Sequence, residues 1–138
     1  FKTYFNPVGR MSRKSYIPKM LGAGIPAAAL FSFTCLKPEL FEGDLNLYIF
    51  TFLVLGTLCF ISLISLAMRR LSDIGLSHLY YWAFFLILFA INQLGGQFLG
   101  SQLMATRVVA VIFMIAVVLL AFFPGEKKKN KYGPVPKE

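Results

Sequence analysis

Charge is scarce in this chain of 138 residues: 14% are Asp, Glu, Lys or Arg, and only six are acidic. A soluble domain has about a quarter charged residues. With 57% hydrophobic residues and a mean hydropathy of +0.68, too little polar surface remains to cover a water-soluble fold. The same apolar excess excludes disorder. Two cysteines are too few for a disulfide-stapled secreted module. There is no phosphate-binding glycine loop, no His-Glu-x-x-His, no cysteine-pair zinc pattern and no nucleophile elbow. The single histidine, His78, has no second ligand nearby in sequence and reads as an exposed loop residue. No acidic residue falls within an apolar stretch, which argues against proton- or cation-coupled transport and against an intramembrane enzyme. Neither a metal site nor a cofactor is expected. The chain reads as a non-enzymatic integral membrane protein.

What is present is four apolar segments, over residues 17–36, 45–68, 79–94 and 106–123. Crossing a bilayer takes about 17–25 apolar residues, a length the first, second and fourth reach. The third is shorter, broken by Gly95-Gly96 unless it continues to Phe98. The fold class is therefore all-α, with four transmembrane helices in one domain spanning residues 1–138. A basic segment, 1–16, precedes the helices and a tail, 124–138, follows them. No cleavable signal peptide is expected, because the first span lacks a small-residue cleavage pattern.

Orientation follows from the basic residues. With both termini cytoplasmic, twelve of the fourteen Lys and Arg side chains lie inside, all but Lys37 and Arg107. The first outer loop then carries Glu39, Glu42 and Asp44. The net charge of +8 reads as topology and contact with anionic phospholipid, not nucleic-acid binding. Tyr80, Tyr81 and Trp82, with Tyr4, Phe5 and Tyr16, are placed at headgroup level, and the segment 1–16 on the inner surface. Ser12 is the expected N-cap of the first long helix.

Within the first span, Ala23/Ala27 and Gly24/Ala28 are small residues four apart, suited to close helix packing inside the bundle. Pro26 is expected to bend that helix. Ser62 and Ser65 on the second span are expected to bond to their own helix or a neighbouring one. Cys35 lies near the outer end of the first span, while Cys59 lies roughly 21 Å along the second from Leu45. A disulfide needs Cα atoms within about 7 Å, so none is expected.

The most informative stretch is Met68-Arg69-Arg70-Leu71-Ser72-Asp73-Ile74-Gly75. Asp73 follows Arg69 by four and Arg70 by three, positions that share a helical face, so a structural salt bridge is expected at Asp73. Arg10, Arg13, Arg69, Arg70 and Tyr132 are the candidate contacts for lipid or a partner. They are expected to gather with residues 130–134, where Tyr132-Gly133-Pro134 reads as a turn.

Three blocks resemble a known family. Gly9-Arg10-Met11-Ser12-Arg13-Lys14-Ser15-Tyr16 is similar to the opening motif of the YhaH-like bacterial inner-membrane proteins, a domain of unknown function (805). Arg69 to Gly75, followed by Tyr80 to Trp82, resembles the second block. Phe123-Pro124-Gly125 with Asn130-Lys131-Tyr132-Gly133-Pro134 resembles the third. Ser72 and His78 depart from the family pattern, which withdraws any metal or proton chemistry from the central turn. The resemblance implies a four-helix protein of the bacterial inner membrane and lends no activity. The leading functional expectation is a scaffold or accessory subunit with a basic cytoplasmic face. The alternative is a small oligomeric channel or exporter, with Gly96 and Gly100 packing its subunits. An arginine-dependent lipid-modifying enzyme is the third reading.

Overall fold

The computed structural model describes residues 2–41 and 47–137. A short α1 (Lys2–Phe5) leads into α2 (Arg13–Leu36), and a 3-10 turn (Pro38–Phe41) follows. Then come α3 (Leu47–Ile74), α4 (His78–Phe98) and α5 (Gln102–Leu119). Helices α2 to α5, with 24, 28, 21 and 18 residues, are each long and apolar enough to cross a membrane. No strand occurs among the described residues. The protein is an all-α multi-pass membrane protein. Side chains such as Ile25, Leu47, Leu86 and Phe98 are more than half exposed, a surface suited to lipid.

Three serines start three of the long helices. The hydroxyls of Ser12, Ser77 and Ser101 accept the backbone N–H of Ser15, Leu79 and Met104, at 3.3, 3.3 and 3.4 Å. Each satisfies one donor that a helix start leaves open. Gly75 ends α3 with φ +87°, and the Leu76 N–H donates back to the Leu71 carbonyl at 3.0 Å. That is a glycine-capped helix end which a Cβ-bearing residue would strain.

Several boundaries differ from those expected. The second span runs six residues past Met68, so Arg69, Arg70 and Asp73 sit on the last turns of α3. The third continues through Gly95-Gly96 to Phe98. The fourth starts at Gln102, where Ser101 supplies a cap, and ends at Leu119. Helix α2 continues unbroken through Pro18 and Pro26. The N-terminal segment folds back along the bundle: α1 packs against α3, and a Cβ at Gly22 would lie 3.1 Å from the Tyr4 hydroxyl. Gly22 is about 14 Å along α2 from Arg13. Tyr4 thereby gains core contacts that a purely superficial segment would forgo. Glu42, Asp44 and the expected start of the second span at Leu45 lie outside the described residues, as do Phe1 and Glu138.

The helices form two hairpins, α2/α3 and α4/α5. Their shared core is concentrated at one end of the bundle, the end carrying Arg10, Arg70 and residues 120–133. Tyr16, Met20, Leu63, Leu66, Phe113 and Val117 fill it. Every buried residue of α3 lies from Ser62 onward. The other half is open, with a cleft of about 810 Å³ between the hairpins. Ala23 and Gly24 are buried in the core, and a Cβ at Gly24 would touch Met114 of α5 at 3.8 Å. Ala23 and Gly24 thus serve packing within the bundle, while Ala28 is exposed in the cleft. Ser62 donates to the Leu58 carbonyl at 2.8 Å, and Cys35 and Cys59 are both free thiols.

Candidate functional site at the polar end of the bundle

Helix α5 ends without a basic residue in its last turn, leaving C-terminal carbonyls that need donors. The donors come from elsewhere in the chain. The Tyr16 hydroxyl donates to the Val117 carbonyl at 2.7 Å. Arg70 Nε donates to the Leu120 carbonyl at 3.1 Å, and Arg13 Nη2 to the Phe122 carbonyl at 3.3 Å. Arg70 Nη2 donates to the Phe123 carbonyl. Cations at a helix C-terminus also complement its dipole.

Asp73 joins the two most buried arginines. Its Oδ2 pairs with Arg70 Nη1, three residues earlier on α3. Its Oδ1 accepts from Arg10 Nε at 3.1 Å, with Arg10 Nη2 also 3.1 Å away. Arg70 Nη1 donates further to the Met11 carbonyl at 3.1 Å. Arg10 Nη1 donates to the carbonyls of Lys128 (2.8 Å) and Gly133 (3.3 Å), and Nη2 to that of Glu126 (2.5 Å). Every nitrogen of both guanidiniums therefore has an acceptor. The residues Arg70, Asp73 and Arg10 are 0%, 4% and 7% exposed. Burying such charges is tolerable only with this degree of pairing.

The C-terminal segment is stitched on by its backbone. The Glu126 N–H donates to the Asp73 carbonyl at 2.7 Å. The Asn130 amide donates to the Ser72 carbonyl and to Glu126 Oε2, both at 2.9 Å. Asn130 and Gly133 close a turn with mutual backbone bonds of 3.2 and 3.1 Å. Gly125 passes so near Asp73 that a Cβ there would overlap the carboxylate. Only glycine permits that approach.

His78 differs from the exposed loop residue expected of it. It is half-buried as the first residue of α4, and its ring stacks on Tyr132 with centroids 5.1 Å apart. Its Nε2 lies 2.7 Å from the Ser72 hydroxyl. That hydroxyl donates to the Met68 carbonyl at 3.0 Å, so His78 is the donor to Ser72. Ser72 is wholly buried, which withholds it from any substrate.

The candidate residues divide into two groups. Arg10 and Arg70 converge on Asp73, with Tyr132 beside His78 close by. Arg13 is exposed and reaches only the Phe122 carbonyl among its described hydrogen bonds, while Arg69 is half-buried. The lipid role foreseen for Arg10 and Arg70 conflicts with their burial and saturation by main-chain acceptors. Lys127, Lys128, Lys129 and Lys131 remain exposed around the closed knot. The sequence pattern placed Asn130 in the expected cluster but not Tyr16 or Glu126. Tyr16 closes the first family-like block, and Glu126 directly follows Gly125 of the last. Among the described residues no three His, Cys, Asp or Glu side chains gather as metal ligands.

The profile of a family described as "Protein of unknown function (DUF805)" matches residues 4–134, and the chain belongs to that family. No curated protein and no solved structure matches the chain.

Proposed function

We propose, for this DUF805 membrane protein, a non-catalytic role as a scaffold or accessory subunit of the bacterial inner membrane. Both termini face the cytoplasm, and the basic polar end contacts anionic phospholipid. The observation that carries the reading is the closed state of the polar end. Its strongest recognition groups, the guanidiniums of Arg10 and Arg70, are used to hold residues 120–133 onto the bundle. What is left for a partner is a rim of exposed cations: Arg13, Lys127, Lys128, Lys129 and Lys131. Anionic headgroups attract such residues by about 1 kcal/mol each. The small residues that would pack channel subunits have another use. Gly96 lies against the Gln102 side chain, and Gly100 makes the α4–α5 turn with φ +70°.

Orientation is tested by reporter fusions after Lys137 and within residues 39–44. The expected outcome is a cytoplasmic signal for the first and an external one for the second; a translocated C-terminus rejects the arrangement. Lipid contact is tested by replacing Lys127, Lys128 and Lys129 together with glutamine. Lys128 serves the knot only through its carbonyl, so the fold should persist. Removing about 3 kcal/mol of attraction lowers co-purifying phosphatidylglycerol by roughly tenfold or more. Equal lipid in two monodisperse preparations would transfer the basic rim to a protein partner or to topology alone.

A further inference from the structure

We infer that the cleft between the two hairpins is a binding site for one long-chain acyl lipid, with the chain lying along α3 and its carbonyl held by Asn92. This site is in the half of the bundle away from the polar end, so the inference stands apart from the role proposed above.

The cleft has the dimensions of a ligand site. Its volume of about 810 Å³ falls within the roughly 300–1,000 Å³ usual for such pockets. Along α3 it extends from Ile49 to Leu63, about 21 Å of helix. One leaflet's share of a hydrocarbon core about 30 Å thick is roughly 15 Å, so an acyl chain fits lengthwise. Small residues on facing helices, Ala28, Gly56 and Ala110, make the room. A Cβ at Gly56 would meet nothing within 4 Å. Phe60 and Phe113, with centroids 5.3 Å apart, join the hairpins at the closed end. Leu53, Phe89, Val111 and Ile115 line the cleft yet stay about half exposed, which leaves lateral access from the bilayer.

Four polar residues interrupt the mostly apolar wall. Ser32 is exposed, and the Thr34 and Thr106 hydroxyls donate to the Phe31 and Gln102 carbonyls of their own helices, so Asn92 sets the occupant's chemistry. The Asn92 side-chain oxygen accepts from Gln102 Nε2 at 2.5 Å, and Thr106 Oγ1 lies 3.3 Å from it. The amide NH2 of the half-buried Asn92 has no acceptor among the described residues. In hydrocarbon an unmatched amide donor is costly, so the site favours a ligand that brings an acceptor. Asn92 lies six residues before Phe98, about 9 Å inside the end of α4. That is below phosphate level, where a carbonyl at the head of an acyl chain can arrive. Among the described residues no Lys or Arg lines the cleft, so the recognised feature is the carbonyl-bearing chain and not headgroup charge.

The test is native mass spectrometry of delipidated protein in detergent, titrated with three probes. These are dipalmitoyl phosphatidylglycerol, its dihexadecyl ether analogue, which lacks the carbonyls, and palmitic acid. The ester lipid should form a 1:1 adduct and the ether analogue bind about tenfold more weakly, the worth of one hydrogen bond in an apolar site. Palmitic acid binding as tightly as the ester lipid identifies the acyl carbonyl as sufficient; a phospholipid-only adduct identifies a bilayer lipid as the occupant. Asn92→Leu should erase the ester preference, and Gly56→Phe should abolish the adduct. If Gly56→Phe fails to fold, Ala110→Leu on the facing helix carries the same expectation. Equal ester and ether binding, or a full adduct on a folded cleft-filling variant, overturns the inference.

Discussion

Replacing Asp73 with asparagine is expected to open the polar end of the bundle and to lower the melting temperature in detergent by at least about 10 °C. The side chain is almost isosteric, so the effect isolates charge and hydrogen-bond direction. Both carboxylate oxygens accept from guanidiniums, Oδ1 from Arg10 and Oδ2 from Arg70. Asparagine would aim an N–H donor at one of them and leave two buried positive charges without a counter-ion. Breaking a buried ionic network from one side costs about 3–5 kcal/mol, because the orphaned charge stays buried. Folded proteins hold only about 5–15 kcal/mol in total. Loss of the pair with Arg10 also frees its grip on the carbonyls of Glu126, Lys128 and Gly133. Trypsin should therefore cut faster within residues 127–131 in the variant. A melting temperature within about 2 °C of wild type, with unchanged cleavage, would sink this account.

Hydropathy made the helices legible, because in lipid the length of an apolar run is itself the structural constraint. The salt bridge at Asp73 was legible from its spacing to Arg70, since residues three apart share a helix face. Its second partner was not. Arg10 was expected to gather with Arg70, but it is 63 residues from Asp73, and nothing local says that the two arginines share one carboxylate. The main-chain acceptors were equally hidden. Carbonyls of Leu120, Phe122 and Phe123 look alike in any sequence, and their demand for donors arises only because α5 stops at Leu119. Reading that span as continuing to Phe123 concealed the need. The arginines then appeared available for lipid, when the chain's own helix end had the prior claim. The cleft was invisible for a related reason: its walls come from four separate helices, and no local pattern brings Asn92 of α4 to face Gly56 of α3 and Ala110 of α5.

Arg70→Lys is the substitution that separates the charge of this side chain from its shape, and it is expected to cost about 2–4 kcal/mol. The guanidinium of Arg70 is a planar fork serving four acceptors in three directions. Nε meets Leu120, Nη1 meets Met11 and Asp73, and Nη2 meets Phe123. A lysine ammonium keeps the positive charge, but its three donors radiate from one point on a longer, freer stem. It can retain Asp73 and one carbonyl at best. At least one carbonyl near the end of α5 is then left buried with no donor, at about 1–3 kcal/mol for each group. Arg70→Gln removes the charge as well and leaves Asp73 paired with Arg10 alone. If shape dominates, lysine should recover less than half of the stability that glutamine loses. The comparison is read from thermal melts of the three proteins in one detergent, with tryptic cleavage of residues 127–131 as a report on the C-terminal segment. A lysine variant as stable as wild type would mean that charge alone holds the helix end, and that the four-way fork seen at Arg70 contributes little.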